Sequence, residues 1–125
     1  MTTHGWHPLA PVPLRRVSVT DPFWAPRLET NRTATLPTEY EQCAITGRFD
    51  AWRLQWKPGD PNPPHHFWDS DAAKWIEAVG YTLTTHPDPE LEARADGVID
   101  LIAATQQPDG YLNIHFTVVE PENRW

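Results

Sequence analysis

Asp69-Ser70-Asp71 is the run of side chains in this chain best equipped for chemistry. Two carboxylates at the mouth of a helical assembly could accept hydrogen bonds from sugar hydroxyls or hold the walls of a pocket. The local alternative is capping: Ser and Asp satisfy the free N–H groups at a helix start and complement its dipole. Three polar residues exceed what one cap requires, so the two readings can coexist. Gln42 carries an amide, donor and acceptor together, that could bridge neighbouring hydroxyls. A solvent-facing place on a helix is its plainer alternative.

Other chemistry is harder to assemble. Glycoside hydrolysis normally uses two carboxylates flanking the bond, or one acid with another nucleophile. Asp69 and Asp71 stand two positions apart at a helix start and do not form such a pair. No nucleophile–base arrangement and no glycine-rich phosphate loop occurs, so no catalytic residue is assigned. The adjacent His65 and His66 point in different directions and have no Cys, Asp or Glu partner at a usual ligand spacing. They read as a surface or pocket-rim loop, and no metal ligand is assigned. Cys43 is the single cysteine, so no intrachain disulfide forms. Asp109-Gly110 reads as a turn, with Tyr111 in the core of a hairpin.

Composition narrows the classes further. A net charge of −7, with no basic cluster beyond Arg15-Arg16, argues against nucleic acid as a partner. No apolar run approaches the ~20 residues of a membrane span. Met1 to Ala10 lacks the apolar core of a secretory signal, and with the lone cysteine a cytoplasmic setting is expected. Fourteen prolines and a mean hydropathy of −0.58 imply long irregular connections. Seven tryptophans imply broad amphipathic surfaces to be buried in a core, an interface or against sugar rings.

The elements that must position these residues follow from pattern. Residues 1–13 read as a flexible lead-in. Leu14 to Val19 alternates like a short strand whose partner lies elsewhere. Thr20-Asp21-Pro22 starts a helix over about Phe23 to Thr35, which Pro37 should interrupt. A second piece from about Thr38 carries Tyr40, Gln42, Cys43 and Ile45, and Gly47 closes it. From Phe49 to Trp68 an aromatic, proline-rich loop has at most a short turn near Trp52.

A helix from about Ala72 to Thr85 has its stripe at Ala72, Trp75, Ile76, Val79 and Leu83, widened by Ala78 and Tyr81. Asp88 caps the next helix, with Pro89 at its first position and Leu91, Ala95, Val98, Ile99 and Ile102 on one face. A nearly all-apolar helix followed by a one-faced one is the inner and outer pair of a toroid or solenoid. The class is mainly α.

Several of these segments occur together in one order: Val19-Thr20-Asp21-Pro22-Phe23-Trp24; Tyr40-Glu41-Gln42-Cys43 with Thr46-Gly47-Arg48; Asp69-Ser70-Asp71 with Lys74-Trp75-Ile76-Glu77-Ala78; and His86-Pro87-Asp88-Pro89-Glu90-Leu91 through Gln107 and Asp109-Gly110-Tyr111-Leu112. In combination they resemble the N-terminal part of the β-L-arabinofuranosidase family, glycoside hydrolase family 127, over roughly residues 12 to 125.

That resemblance implies an (α/α)6 toroid followed by β-sandwich domains, with the first strand docking on the β part. It also implies retaining hydrolysis by a cysteine thiolate that is itself a ligand of zinc, alongside other cysteines and a glutamate, with a second glutamate as acid/base. Those residues belong to later parts of the family's chain and match no position here. Cys43 sits in an early helix and does not inherit the nucleophile role. By the same resemblance, Gln42 falls near a sugar-contacting position and Asp69 and Asp71 match the family's Asp-Ser-Asp, giving Gln42, Asp69 and Asp71 as the substrate-binding set. Gln55 to His66 departs from the family pattern in its proline content, which bears on the pocket rim and hence on substrate preference.

The resulting expectation is the opening helices of an incomplete (α/α)6 toroid over residues 14–125, preceded by one short β-strand. Carbohydrate is the substrate of the full-length relative, zinc belongs to the complete enzymes and not to this chain, and the chain alone is inert. Its exposed apolar surface should cause self-association. The alternative is a free-standing helical binding or interaction module.

Overall fold

Helices start where side-chain caps stand, as the computed structural model of residues 9–124 makes plain. Asp21 Oδ1 accepts the N–H groups of Phe23 and Trp24 at 2.9 and 2.8 Å, opening α1, Trp24–Thr30. Of the lead-in expected over residues 1–13, residues 1–8 lie outside the described residues, and 9–13 are exposed without regular structure.

The expected strand at Leu14 to Val19 is absent, and no strand occurs among the described residues. Leu14–Arg16 form a 3-10 turn, with Arg16 N–H donating to Pro13 O at 2.8 Å and Val17 N–H to Leu14 O at 2.9 Å. Only Val17 itself is extended. A strand needs a neighbour for its ladder; without one among the described residues, these N–H groups close on local carbonyls instead.

Pro37 does not interrupt the helix either. A wide π-turn, Asn31–Thr35, joins α1 to α2, Leu36–Ile45, with Leu36 N–H donating to the Asn31 carbonyl five residues back. Proline lacks an N–H and crowds the carbonyl four residues before it. Opening the ladder by one residue just upstream relieves that conflict and lets the chain continue. Gly47 then ends α2 at φ +82°, and Arg48 N–H donates to Cys43 O at 2.9 Å while Gly47 N–H donates to Ala44 O at 3.2 Å. This is the glycine-terminated paired-bond stop expected of that sequence.

A 3-10 turn, Asp50–Arg53, interrupts the aromatic loop. α3 spans Trp68–Leu83, beginning four residues before the expected Ala72. Asp69, Ser70 and Asp71 therefore lie inside its first turn, and none caps it: the position before the helix is Phe67, and the Ser70 hydroxyl donates back to Phe67 O at 2.8 Å. α4, Pro89–Thr105, is capped as expected, Asp88 Oδ1 accepting from Glu90 and Leu91 N–H at 3.1 Å each. A short α5, His115–Val118, follows the turn at Gly110.

α3 packs between α2 and α4. Trp75, Leu36, Val79 and Ile114 are fully buried, and the Trp75 indole N–H donates to the Leu36 carbonyl at 3.0 Å. Tyr40, Phe49 and Trp75 form an aromatic triad with centroids 5.1 to 6.0 Å apart. From α4, Leu91, Ala95 and Val98 enter the core. Ile99, expected with them, is 44% exposed; one residue past Val98 turns about 100° away from the seam. The buried Thr105 hydroxyl shares its proton between Trp52 O at 2.6 Å and Leu101 O at 2.7 Å, tying the 3-10 turn to the end of α4. No helix among the described residues is long and apolar enough to cross a membrane.

Candidate functional site

Helical spacing builds two facing walls. On α2, Glu39, Gln42, Cys43 and Thr46 recur at i, i+3, i+4 and i+7; on α3, Asp71, Lys74, Trp75 and Ala78 repeat the same interval, so each set shares a face. Between them lies an open hollow of about 530 Å3 lined by these eight residues with Asn31 and Arg48. Its floor is apolar, from Cys43, Trp75 and Ala78, and its flanks carry amide, carboxylate and ammonium groups.

Arg48 links the walls. Placed just beyond the Gly47 stop, it donates from Nε to Asp71 Oδ2 at 2.7 Å and from a terminal nitrogen to Thr46 Oγ1 at 2.7 Å. Its guanidinium carbon stands 5.3 Å from the centre of the Trp68 ring. Asp71 is thus a brace between α2 and α3 rather than a helix cap. Its side chain keeps 34% exposure, so it remains open to a ligand.

Asp69 serves a different segment. Its two oxygens accept the Ile114 N–H at 3.3 and 3.2 Å, pinning the chain that leads into α5. Burial pushes this carboxyl above its ordinary value, against the opposing pull of the Ile114 N–H. The sequence-expected set therefore divides: Gln42 and Asp71 line one hollow, and Asp69 stands outside its lining.

Cys43 is buried on the floor, and burial raises its thiol pKa, with nearby Arg48 pulling the other way. The thiol is held protonated at neutral pH, the opposite of an activated nucleophile. The zinc implied by the sequence resemblance finds no matching donor set: among the described residues no three His, Cys, Asp or Glu groups converge. A protonated thiol is moreover a poor ligand, so the residues here do not fit that metal.

His65 and His66 stack with ring centroids 4.0 Å apart, and Phe67 lies 4.0 Å from His66. His115 stands 5.8 Å from His66, its Nδ1 2.7 Å from Pro64 O and its Nε2 3.5 Å from Glu120. They form a rim of rings above the start of α3. Asp109-Gly110 makes the expected turn, with Gly110 at φ +87°, and Tyr111 is half-buried 4.1 Å beneath the Arg124 guanidinium.

Sequence reasoning missed Glu39 and Lys74 as lining residues, although the helical interval from Gln42 and from Asp71 pointed to both. Asn31 gave no such signal, because a π-turn inserts a residue that helical counting does not anticipate. An arrangement of amides, carboxylates and an ammonium over an apolar floor suits a small polyhydroxylated molecule.

Residues 16–125 match the family model described as β-L-arabinofuranosidase, GH127 catalytic domain. The chain is 32% identical over 122 residues to the non-reducing end β-L-arabinofuranosidase of Bifidobacterium longum subsp. longum, the match taking in 82% of this chain and 18% of that protein. Among solved structures, a GH127 β-arabinofuranosidase is similar at a TM-score of 0.77 and 36% identity, covering 86% of this chain and 17% of its own. A GH127 β-L-arabinofuranosidase from Geobacillus stearothermophilus T6 is similar at 0.77 and 38%, covering 86% and 18%. The helices are thus of the α/α-toroid kind seen in these neighbours. The chain spans less than a fifth of the length of each of these relatives.

Proposed function

This chain belongs to the GH127 β-L-arabinofuranosidase family, and on that premise we propose that the α2–α3 hollow is one wall of a pocket for an L-arabinofuranosyl residue. The observation that carries the reading is that Gln42 and Asp71, distant in sequence, line one hollow whose walls Arg48 bridges. The Gln42 amide donates to one sugar hydroxyl and accepts from its neighbour. Asp71 accepts a hydroxyl with the oxygen that Arg48 leaves free, while Arg48 keeps the carboxylate charged and fixed in direction. Trp75 and Ala78 meet the C–H face of the ring. Asp69 takes a supporting role in this reading, holding the Ile114 segment rather than the sugar.

Hydrolysis of terminal arabinofuranosyl residues is the activity proposed for the whole enzyme to which such a wall contributes. This chain binds without turnover, because its one thiol is buried and protonated and no acid/base pair faces the hollow. A single buried cysteine fits a reducing, cytoplasmic setting.

The test is twofold. Purified chain should leave an aryl β-L-arabinofuranoside unhydrolysed, and should bind methyl β-L-arabinofuranoside with an affinity that Gln42→Ala weakens. Turnover above background that disappears in Cys43→Ala or Asp71→Asn would overturn the division between binding and catalysis.

A further inference from the structure

We propose that the ring stack of His65, His66 and Phe67 is a second sugar subsite, taking the sugar next to the terminal arabinofuranosyl residue. The inference rests on the reading of the hollow as the site of that terminal residue. It commits to one occupant, the second ring of an oligosaccharide.

Placement is the first reason. Phe67 and Asp71 are four residues apart, so Phe67 lies one helical turn, about 5.4 Å, beyond Asp71 on the same side of α3. That step is comparable with the span of one sugar ring. Arg48 fills the interval, bonded to Asp71 at 2.7 Å and lying 5.3 Å from the ring of Trp68, the residue after Phe67. The rim therefore continues the wall beyond the end of the hollow where Arg48 bridges it.

Rigidity is the second reason. Phe67 is 62% exposed, an unusual state for a large apolar ring unless something stacks on it. Yet it is held in place from below. His66 packs against it at 4.0 Å and is itself stacked on His65 at 4.0 Å. Phe67 N–H donates to His65 Nδ1 at 3.3 Å, and the buried Pro64 contributes its carbonyl to His115 at 2.7 Å. An exposed ring fixed by stacked neighbours presents a flat amphipathic face at little entropic cost on binding. Sugars offer the matching surface, a sheet of C–H groups edged by hydroxyls.

Two probes separate this proposal from the reading beneath it: methyl β-L-arabinofuranoside and the methyl glycoside of a disaccharide ending in a β-L-arabinofuranosyl residue. The full chain should bind the disaccharide more tightly than the monosaccharide. Phe67→Ala should weaken disaccharide binding about three- to tenfold, the loss of one stacked ring, and leave monosaccharide binding unchanged. Phe67→Tyr, which keeps the ring, should restore the preference. A disaccharide preference that survives Phe67→Ala, or its absence in the unaltered chain, overturns the subsite and leaves the hollow standing. Failure of the unaltered chain to bind either probe overturns both. Phe67 lies outside the core, so unchanged helical circular dichroism of the variants checks that folding is intact.

Discussion

α1 and α2 run on as one helical path through the π-turn, yet they are held by different forces. α2 buries Leu36 and Cys43, and its Leu36 carbonyl receives the Trp75 indole. α1 buries nothing; Trp24 and Leu28 are 59% and 52% exposed. Its support is local: the Asp21 cap, an Arg27 guanidinium donating to Phe23 O at 2.6 Å, and an Arg32–Glu29 pair just beyond it. Helix formation and tertiary burial are separable here. The same backbone ladder is anchored by a core on one side of Asn31 and by caps on the other.

The largest effect should come from charging the anchored side. Val79→Asp places an unpaired carboxylate in the core, costing on the order of 5 kcal/mol. That approaches the whole stability of a domain this size, so helical circular dichroism should be largely lost. Leu28→Asp on α1, and equally Ile99→Asp on the exposed flank of α4, should move the denaturation midpoint by no more than about 0.5 kcal/mol. Loss of fold in either would erase the contrast.

Trp75→Phe is expected to cost about 2 to 3 kcal/mol, since it shrinks a buried side chain and leaves the Leu36 carbonyl without its donor. Urea denaturation reads this directly. The caps should rank lower. Asp88→Ala should lower global stability by about 1 kcal/mol, because α4 is part of the core. Asp21→Ala should fray α1, seen as faster amide exchange there, with no shift in the global midpoint.

Asp69 sharpens the comparison through pH. Its folded pKa is raised by burial, so its favourable contribution is present at low pH and lost as pH rises through the folded value. Asp69→Asn keeps an oxygen for the Ile114 N–H and removes the buried charge. The variant should equal or exceed the parent in stability at pH 7, with the difference vanishing below the ordinary carboxyl range. A parent that is clearly the more stable at pH 7 contradicts this.

The smallest effect on folding, with a separate effect on association, is expected from Trp24→Ser combined with Leu28→Ser. The midpoint should hardly move. Sedimentation at physiological salt should show less self-association than the parent, because the apolar face of α1 and the exposed Val17 and Val19 before it favour association.

Much of this was legible in the sequence because it depends on local chemistry. Asp21, Asp88 with Pro89, and Gly47 marked helix ends by capping and by left-handed backbone, and the stripe around Trp75 and Val79 marked the core. Other features depended on partners that no window of sequence reveals. The alternation of Leu14 to Val19 resembles a strand, yet its N–H groups closed locally. Pro37 signalled a break that the π-turn absorbed. Asp69 and Asp71, alike in a linear reading, were separated by what folded against them: Ile114 for one, Arg48 for the other.

The claim that the α2–α3 hollow holds a furanoside is tested most directly by titrating 15N-labelled chain with methyl β-L-arabinofuranoside and following its amide resonances. Saturable shifts should appear at the Gln42 side-chain amide and at Arg48, Asp71 and Lys74, with α1 unmoved. No saturable shift at those residues, or shifts gathered on Trp24 to Thr30 instead, would contradict it.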